Sequence, residues 1–200
     1  TSNILDISYM FSYCKKLISL PNLDWNTKNT QYMKHIFYGC SSLKDISGIS
    51  KWNTSNIIDI SYIFSYCKSL ISLPNLNWNT KNTLYMRGMF YGCKQLSNIS
   101  GISKLNISNV INTNEMFYDC EKLSSISPLS NWNVEKVENM NKMFFNCKKL
   151  LSLSELEKWN TKNVTNMESM FEGCSSLSNL SGLENWDTGN VKHMSKMFKN

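Results

Sequence analysis

The stretch Asn160-Thr161-Lys162-Asn163-Val164-Thr165-Asn166-Met167-Glu168-Ser169-Met170-Phe171-Glu172-Gly173-Cys174 decides the fold, because variants of it recur about every 27 residues along the chain. The cysteines mark this recurrence at spacings of 26, 27, 26, 27, 27 and 27, in the order Cys14, Cys40, Cys67, Cys93, Cys120, Cys147 and Cys174. A period of this length indicates a solenoid in which each unit packs only on its neighbours. We therefore expect residues 1–200 to form a single repeat array.

Other positions fall into register with the cysteines. Phenylalanine stands three residues before each cysteine and leucine three residues after it, while tryptophan follows after eleven or twelve residues in every unit except one, which has Leu105. About seven and a half units of 26 or 27 residues fill the sequence. The array begins and ends within a unit, which predicts a fragment of a longer solenoid.

The first four units are two copies of a pair. Residues 3–55 and 56–108 are identical at 39 of 53 positions. The first unit of each pair is 26 residues long and the second is 27, so we expect the turn before tryptophan to absorb the extra residue. Units after residue 107 are more divergent, and no tyrosine follows Tyr118.

The spacing within one unit predicts a short helix. Met140, Met143, Phe144 and Cys147 stand at i, i+3, i+4 and i+7, which places them on one helical face. The residue before cysteine is glycine, aspartate or asparagine in five of seven units, and these residues tolerate the left-handed conformation at a helix end. A helix of one to two turns is expected in each unit.

Polar residues bound this predicted helix, and a strand pattern follows it. Asp6 and its equivalents stand where helix N-caps are expected, and Asn112 with Glu115 has the spacing of a capping box. Residues 124–127, Ser-Ser-Ile-Ser, alternate as a short strand does. The unit therefore predicts an α/β solenoid of the leucine-rich-repeat type, with one short strand per unit in a parallel sheet.

Two segments carry a resemblance to a known family. Residues 186–191, Trp-Asp-Thr-Gly-Asn-Val, and residues 164–167, Val-Thr-Asn-Met, resemble the BspA-like leucine-rich repeats of bacterial and protist surface proteins. The chain departs from that pattern at Leu105, Thr113 and Lys136. The resemblance implies a non-catalytic protein, at the cell surface or secreted, that mediates adhesion or protein binding. The alternative is a cytoplasmic scaffold for protein–protein interaction.

Charge and hydropathy restrict the classes of partner. Residues 1–106 carry eleven Lys/Arg and four Asp/Glu, which gives +7, whereas residues 107–200 carry ten and eleven, which gives −1. The lysines form no arginine-rich stripe, so nucleic acid is not an expected partner. No apolar run approaches the roughly 18 residues of a membrane helix. Hydrophobic residues make up 42% of the chain, which is enough for a continuous core.

The sequence contains few residues that are suited to catalysis. His35 and His193 occupy different positions of the unit and lack evident partners, so we read both as exposed histidines and expect no enzyme, cofactor or metal. The seven cysteines share one inward slot, which favours buried free thiols, although stacked cysteines could also form disulfides.

Tyrosines are the candidates for partner binding, because they occupy variable positions of the predicted helix that the core does not require. The candidates are Tyr9, Tyr13, Tyr38, Tyr62, Tyr66, Tyr91 and Tyr118. Exposed aromatic residues often carry binding energy, but tyrosines could equally pack between adjacent helices. We expect binding, of a protein or an anionic glycan, on the helical side of residues 1–118 rather than on the serine-rich sheet face. The sequence leaves the oligomeric state open.

Overall fold

A computed structural model describes residues 3–200 as one solenoid of stacked rungs. A ladder of isolated parallel bridges runs through it with one residue in each of eight rungs. The ladder residues are Asp6, Tyr32, Asp59, Tyr85, Asn112, Asn139, Asn166 and His193. Every bridge is isolated, so no strand extends beyond one bridge among the described residues.

The predicted strand does not form the continuous sheet. Among residues 3–200 it appears only as the bridges Ser19–Asp45 and Ser72–Asn98, one within each pair of units. The continuous ladder instead passes through the residues that the sequence predicted as helix caps. In the 27-residue units a short 3₁₀ helix begins where the predicted strand would continue, and this helix ends the extended backbone. These helices span Ser47–Ile49, Ser100–Ile102, Ser127–Leu129 and Ser154–Leu156. The extra residue is therefore absorbed before tryptophan, as predicted.

The predicted helix of one to two turns is wrong for residues 3–200, which contain no α-helix. Each of the first seven rungs has a turn segment in its place, with two left-handed residues four positions apart, such as Tyr9 with a φ of 62° and Tyr13 with a φ of 60°. Alternate amides of this segment donate to the next rung, for example Phe11 N–H to the Ile36 carbonyl at 2.9 Å. Bonding between rungs prevails because a two-turn helix leaves most of its end groups unpaired.

The apolar positions nevertheless face inward, as their spacing predicted. Phenylalanine rings form a stacked column, with Phe37–Phe64 and Phe64–Phe90 centroids both 5.7 Å apart. Methionine, isoleucine and leucine fill the space beside this column and are buried. Because two consecutive tight turns bring i, i+3, i+4 and i+7 to one side as a helix does, the pattern identified the core but not the backbone.

Six of the seven cysteines are buried free thiols, as predicted. Each donates its S–H to the phenylalanine carbonyl of the preceding rung, for example Cys93 Sγ to Phe64 O at 3.1 Å. Burial raises the pKa of the Cys40 thiol to about 11 and that of Cys93 to about 12. Cys14, in the first rung, is exposed, so the prediction of seven inward thiols is wrong at this position.

The Asn-Thr-x-Asn motif ties each rung to both of its neighbours. Asn53 Oδ1 accepts the Ser55 N–H at 3.1 Å and closes a local turn. Thr54 Oγ1 donates to the Asn79 carbonyl of the next rung at 3.2 Å. Asn56 Nδ2 donates to the Lys28 carbonyl of the preceding rung at 2.7 Å. These three hydrogen bonds show the structural role of the motif, which is to close a local turn and to join neighbouring rungs.

Candidate functional site

All seven candidate tyrosines lie on the side of the solenoid formed by the turn segments. Tyr9 and Tyr62 occupy the first left-handed position of their rungs, and Tyr13 and Tyr66 occupy the second. The other three stand directly before the second left-handed position. We call the seven residues the tyrosine strip: Tyr9, Tyr13, Tyr38, Tyr62, Tyr66, Tyr91 and Tyr118.

Five rings of the strip touch in succession, one rung at each step. Tyr13 and Tyr38 meet edge to face with centroids 5.3 Å apart and ring planes at 71°, and Tyr38 and Tyr66 meet at 5.4 Å and 78°. Tyr66 and Tyr91 follow at 5.2 Å and 59°, and Tyr91 and Tyr118 are stacked at 4.3 Å. The strip is therefore continuous across five rungs, with its rings held by aromatic contacts.

Glycines in alternate rungs make room for the rings. A Cβ atom at Gly92 would lie 2.7 Å from Tyr66 Cδ1, and one at Gly39 would lie 2.8 Å from Tyr13 Cδ1. The Tyr62 ring crosses Gly88 in the same manner. Tyr13, Tyr62 and Tyr66 thus each lie over a glycine of the next rung, whereas Tyr9 stacks on His35.

Four tyrosines of the strip adopt a conformation that disfavours them. Tyr9, Tyr13, Tyr62 and Tyr66 have φ angles between 57° and 62°. The left-handed region costs a residue with a Cβ atom roughly 1–2 kcal/mol, which glycine avoids. Glycine does occupy the equivalent positions 39, 88 and 92. Residues with a Cβ atom, such as Lys142 and Ser169, are left-handed at the same position in other rungs, so the fold imposes this conformation on whichever residue stands there.

The strip is both accessible and fixed in place. Tyr9 and Tyr13 are 57% and 61% exposed, whereas the other five are half-buried between neighbouring rungs. The sequence left two expectations open, exposed tyrosines and tyrosines packed between adjacent helices. This surface combines both, but its tyrosines pack between turn segments and not between helices.

A charged cluster lies in the middle of the strip. Tyr62 donates its hydroxyl to Glu115 Oε2 at 2.8 Å, and Arg87 donates Nε and a terminal nitrogen to the same oxygen, each at 3.2 Å. The Arg87 guanidinium also lies over the Tyr62 ring, 5.3 Å from its centroid. Glu115 is left-handed and makes these contacts instead of the predicted capping box with Asn112.

These groups border a groove of about 410 Å³. It is lined by His35, Tyr38, Tyr62, Tyr66, Arg87, Tyr91 and Glu115. The groove offers ring edges, hydroxyls and one ion pair, which suits hydrogen bonding and stacking against a partner.

His35 is half-buried and stacked, so the prediction of an exposed histidine without a partner is wrong. Its ring lies 4.6 Å from Tyr9 and 4.9 Å from Tyr62 between centroids. Burial, followed by the charge of Lys34, lowers the pKa of His35, so the imidazole is neutral at pH 7. Burial and the bond to Glu115 raise the pKa of Tyr62, so its hydroxyl stays protonated. His193 lies on the ladder six rungs away.

The sequence missed His35, Arg87 and Glu115 as members of this surface. Aligning the units on their cysteines indicates two of these residues, because His35 and Glu115 occupy the same position of the unit as Tyr9 and Tyr62. Within residues 3–200, no group of three or more His, Cys, Asp or Glu residues could hold a metal ion. No helix of this part of the chain is long and apolar enough to cross a membrane.

The sequence profile of a family described as "Mycoplasma protein of unknown function, DUF285" matches residues 1–97, 74–155 and 123–200, which together span the chain. The chain belongs to the DUF285 family. No curated protein matches the chain.

The DUF285 chain also has structural neighbours. The leucine-rich repeat protein of T. pallidum is 20% identical, with a TM-score of 0.52 over 88% of this chain and 72% of that chain. A leucine-rich repeat protein from Eubacterium ventriosum is 15% identical, with a TM-score of 0.45 over 91% and 57%. A leucine-rich cell surface protein from Faecalibacterium prausnitzii is 17% identical, with a TM-score of 0.42 over 98% and 68%. The first of these supports a leucine-rich-repeat solenoid for the DUF285 chain.

Proposed function

We propose that this DUF285 chain is a non-catalytic repeat protein of the cell surface that mediates adhesion by binding a macromolecule at the tyrosine strip. The observation that carries the proposal is the unbroken contact of five tyrosine rings on the surface of five successive rungs. The fold does not need tyrosine at these positions, because other rungs have glycine, serine or a charged residue there. Accessible aromatic rings that the core does not require are better explained by recognition than by stability.

The physical properties of the strip suit binding. Tyrosine supplies a large amphipathic contact with only two side-chain torsions, and aromatic residues are enriched at interface centres. Here the rings are already held by their neighbours, as in the Tyr38 contacts with Tyr13 and Tyr66. Little conformational entropy is then lost when a partner binds, and more of the contact energy becomes affinity.

The location at the cell surface is supported by the resemblance of residues 164–167 and 186–191 to the BspA-like repeats. Proteolysis of intact cells that express the full-length gene tests this part of the proposal. Cleavage of the array on intact cells supports surface display. An array that is protected until the cells are lysed would favour the cytoplasmic scaffold instead.

Beads coated with the 200-residue array test the adhesive role on panels of immobilised matrix proteins and polysaccharides. The variant Tyr38→Ser/Tyr66→Ser/Tyr91→Ser removes the middle of the strip. The matched control Tyr32→Ser/Tyr85→Ser removes tyrosines of the ladder, which are 36% and 37% exposed. We expect the strip variant to lose adhesion and the control to keep it, with thermal unfolding showing that both are folded. Equal adhesion by the strip variant and the unmodified array would overturn the proposal.

A further inference from the structure

We propose that the tyrosine strip binds a proline-rich segment of a partner protein, which lies in the polyproline II conformation in the groove beside Tyr38, Tyr66 and Tyr91. This inference rests on the proposed function, because it names the partner of the same surface. Three properties of the residues that line the groove carry it: their two aromatic walls, their lack of net charge, and the hydrogen-bond donors that they offer.

One wall of the groove is a column of stacked planar groups. The rings of His35 and Tyr62 stack with centroids 4.9 Å apart, and the Arg87 guanidinium lies 5.3 Å from the Tyr62 centroid. Glu115 ends this column, because its Oε2 accepts the Tyr62 hydroxyl at 2.8 Å and two Arg87 N–H groups at 3.2 Å. The wall therefore spans four successive rungs, and its side chains are held in place by one another.

The other wall consists of Tyr38, Tyr66 and Tyr91, whose successive ring centroids are 5.4 and 5.2 Å apart. The two walls approach each other closely, since the centroids of His35 and Tyr38 are 5.3 Å apart and those of Tyr62 and Tyr91 are 6.4 Å apart. The facing rings are inclined to each other by 49° and 57° and do not form a flat stack. Aromatic-lined grooves are the sites at which several peptide-recognition domains bind proline-rich segments.

The lining of the groove carries no net charge. Arg87 and Glu115 form an ion pair at 3.2 Å. Burial, followed by the charge of Lys34, lowers the pKa of His35, so its imidazole is neutral at pH 7. Placing a charged ligand in the groove costs desolvation without a countercharge to compensate it. The groove therefore favours an uncharged ligand over the anionic glycan that the charge of residues 1–106 suggested.

Hydrogen-bond donors distinguish among uncharged ligands. The one carboxylate of the groove, Glu115, already accepts three hydrogen bonds on Oε2, from Tyr62 and Arg87. Arg87 has five N–H donors, of which these bonds use two, and the tyrosine hydroxyls of the other wall can donate as well. A ligand rich in carbonyl oxygens therefore finds donors in the groove. A ligand that brings its own N–H or O–H donors finds no carboxylate oxygen of comparable strength left on Oε2.

Proline-rich segments suit such a lining. Proline has no backbone N–H group, so each proline brings a carbonyl acceptor and an apolar ring but no donor. Polyproline II has no internal hydrogen bonds, which leaves its carbonyls available, and it is ordered before binding, so little conformational entropy is lost. A peptide in a β-strand conformation brings one N–H per residue, and a neutral glycan brings several hydroxyl donors per sugar. Proline is thus favoured over both.

The length of the groove sets the length of the segment. Its lining residues come from four successive rungs, from His35 to Glu115. Rungs joined by backbone hydrogen bonds are roughly 4.8 Å apart, so the groove is about 14 Å long. Polyproline II advances by about 3.1 Å per residue, so about five residues fill the groove.

Decaproline with acetylated and amidated ends is an uncharged probe for the 200-residue array, and calorimetric titration measures its binding. We expect saturable binding that weakens by less than about threefold between low and high salt, because no exposed charges attract each other. A larger loss of affinity would overturn the inference. An uncharged glycine–serine peptide of equal length and the neutral N-acetylglucosamine octasaccharide are the comparison ligands, and we expect both to bind at least about tenfold more weakly. Equal or tighter binding of either would also overturn it.

Variants that keep the rings and remove the hydroxyls test the donors. Tyr38→Phe/Tyr66→Phe/Tyr91→Phe leaves the wall aromatic, and Tyr32→Phe/Tyr85→Phe is the matched control on the ladder. We expect the triple variant to bind decaproline at least about tenfold more weakly, because it loses three hydrogen-bond donors. The control should bind as the unmodified array does. Equal affinity of the triple variant and the control would overturn the inference.

The bead assay separates this inference from the proposed function. An array that ignores decaproline, but whose Tyr38→Ser/Tyr66→Ser/Tyr91→Ser variant loses adhesion, would refute this inference and leave the proposed function standing. Decaproline binding by an array whose adhesion does not depend on these tyrosines would instead refute the proposed function and support the groove as a peptide site.

Discussion

The stacked phenylalanine column can be tested with Phe144→Ala. Phe144 is fully buried, with its ring centroid 5.5 Å from Phe117 and 5.6 Å from Phe171. Removing the ring forfeits about 2–3 kcal/mol of hydrophobic transfer free energy. The cavity left by the ring further lowers the free energy of unfolding, because backbone hydrogen bonds on both sides fix the distance between rungs and prevent the core from closing over the cavity. We therefore expect a loss of about 3–5 kcal/mol of unfolding free energy.

Phe198 is a matched control in the same column. It is 39% exposed and stacks only on Phe171 among the described residues, at 5.7 Å. Phe198→Ala leaves no closed cavity, so we expect a loss of about 1–1.5 kcal/mol. Lys149 is exposed, and Lys149→Ala should change stability by less than about 0.5 kcal/mol.

Urea unfolding followed by circular dichroism measures the three variants, with the midpoint and the slope m reported separately. An unchanged slope is needed to compare free energies, because repeat arrays can unfold from one end. If Phe144→Ala and Phe198→Ala differed by less than about 1 kcal/mol, the buried column would not be the main source of stability, and the reasoning would fail.

Other predictions concern hydrogen bonds, close packing and thiols. Trp159 Nε1 donates to the Leu129 carbonyl at 3.2 Å, whereas buried Trp132 Nε1 has no acceptor among residues 3–200. Trp159→Phe should therefore cost roughly 1–2 kcal/mol more than Trp132→Phe in urea unfolding, and equal costs would contradict this. A Cβ atom at Gly101 would lie 2.0 Å from the Pro74 carbonyl oxygen, so Gly101→Ala should cost at least about 2 kcal/mol, and a neutral result would refute the contact. A thiol reagent at pH 7 should modify Cys14 alone in the folded array, and mass spectrometry showing several labels would contradict the buried thiols.

The repeat and the core were predictable because they depend on side-chain chemistry. Cys93, Phe90 and Leu96 recur at fixed offsets, and all three are buried. The backbone was not predictable from the same offsets, since a short helix and a pair of tight turns place them on one side alike. What distinguishes the two is the bonding between rungs, such as Phe90 N–H to the Met116 carbonyl at 2.9 Å. This bonding is non-local and leaves no trace in the sequence of one unit.

The left-handed residues were predictable only in part. Glycine, aspartate and asparagine before cysteine indicated them correctly, with φ of 73° at Gly39 and 56° at Asp119. Tyr13 and Tyr66 occupy the same position and gave no such signal, because tyrosine rarely adopts this conformation. The tyrosines were identified as candidates by exclusion from the core, whereas the Arg87–Glu115 pair depends on contacts across one rung that the spacing within a unit does not show.

Two rings of the tyrosine strip lean over residues without a Cβ atom, Tyr13 over Gly39 and Tyr66 over Gly92. From the fifth rung the same column continues with Asp119 and Asn146, and Asn146 Nδ2 donates to Asp119 Oδ1 at 2.6 Å. The column of Tyr13, Gly39, Tyr66 and Gly92 thus becomes polar from the fifth rung on an unchanged core. The neighbouring column stays aromatic, with the stacked rings of Tyr118 and Phe145 4.5 Å apart between centroids. The surface can therefore change along the array without a change in the fold.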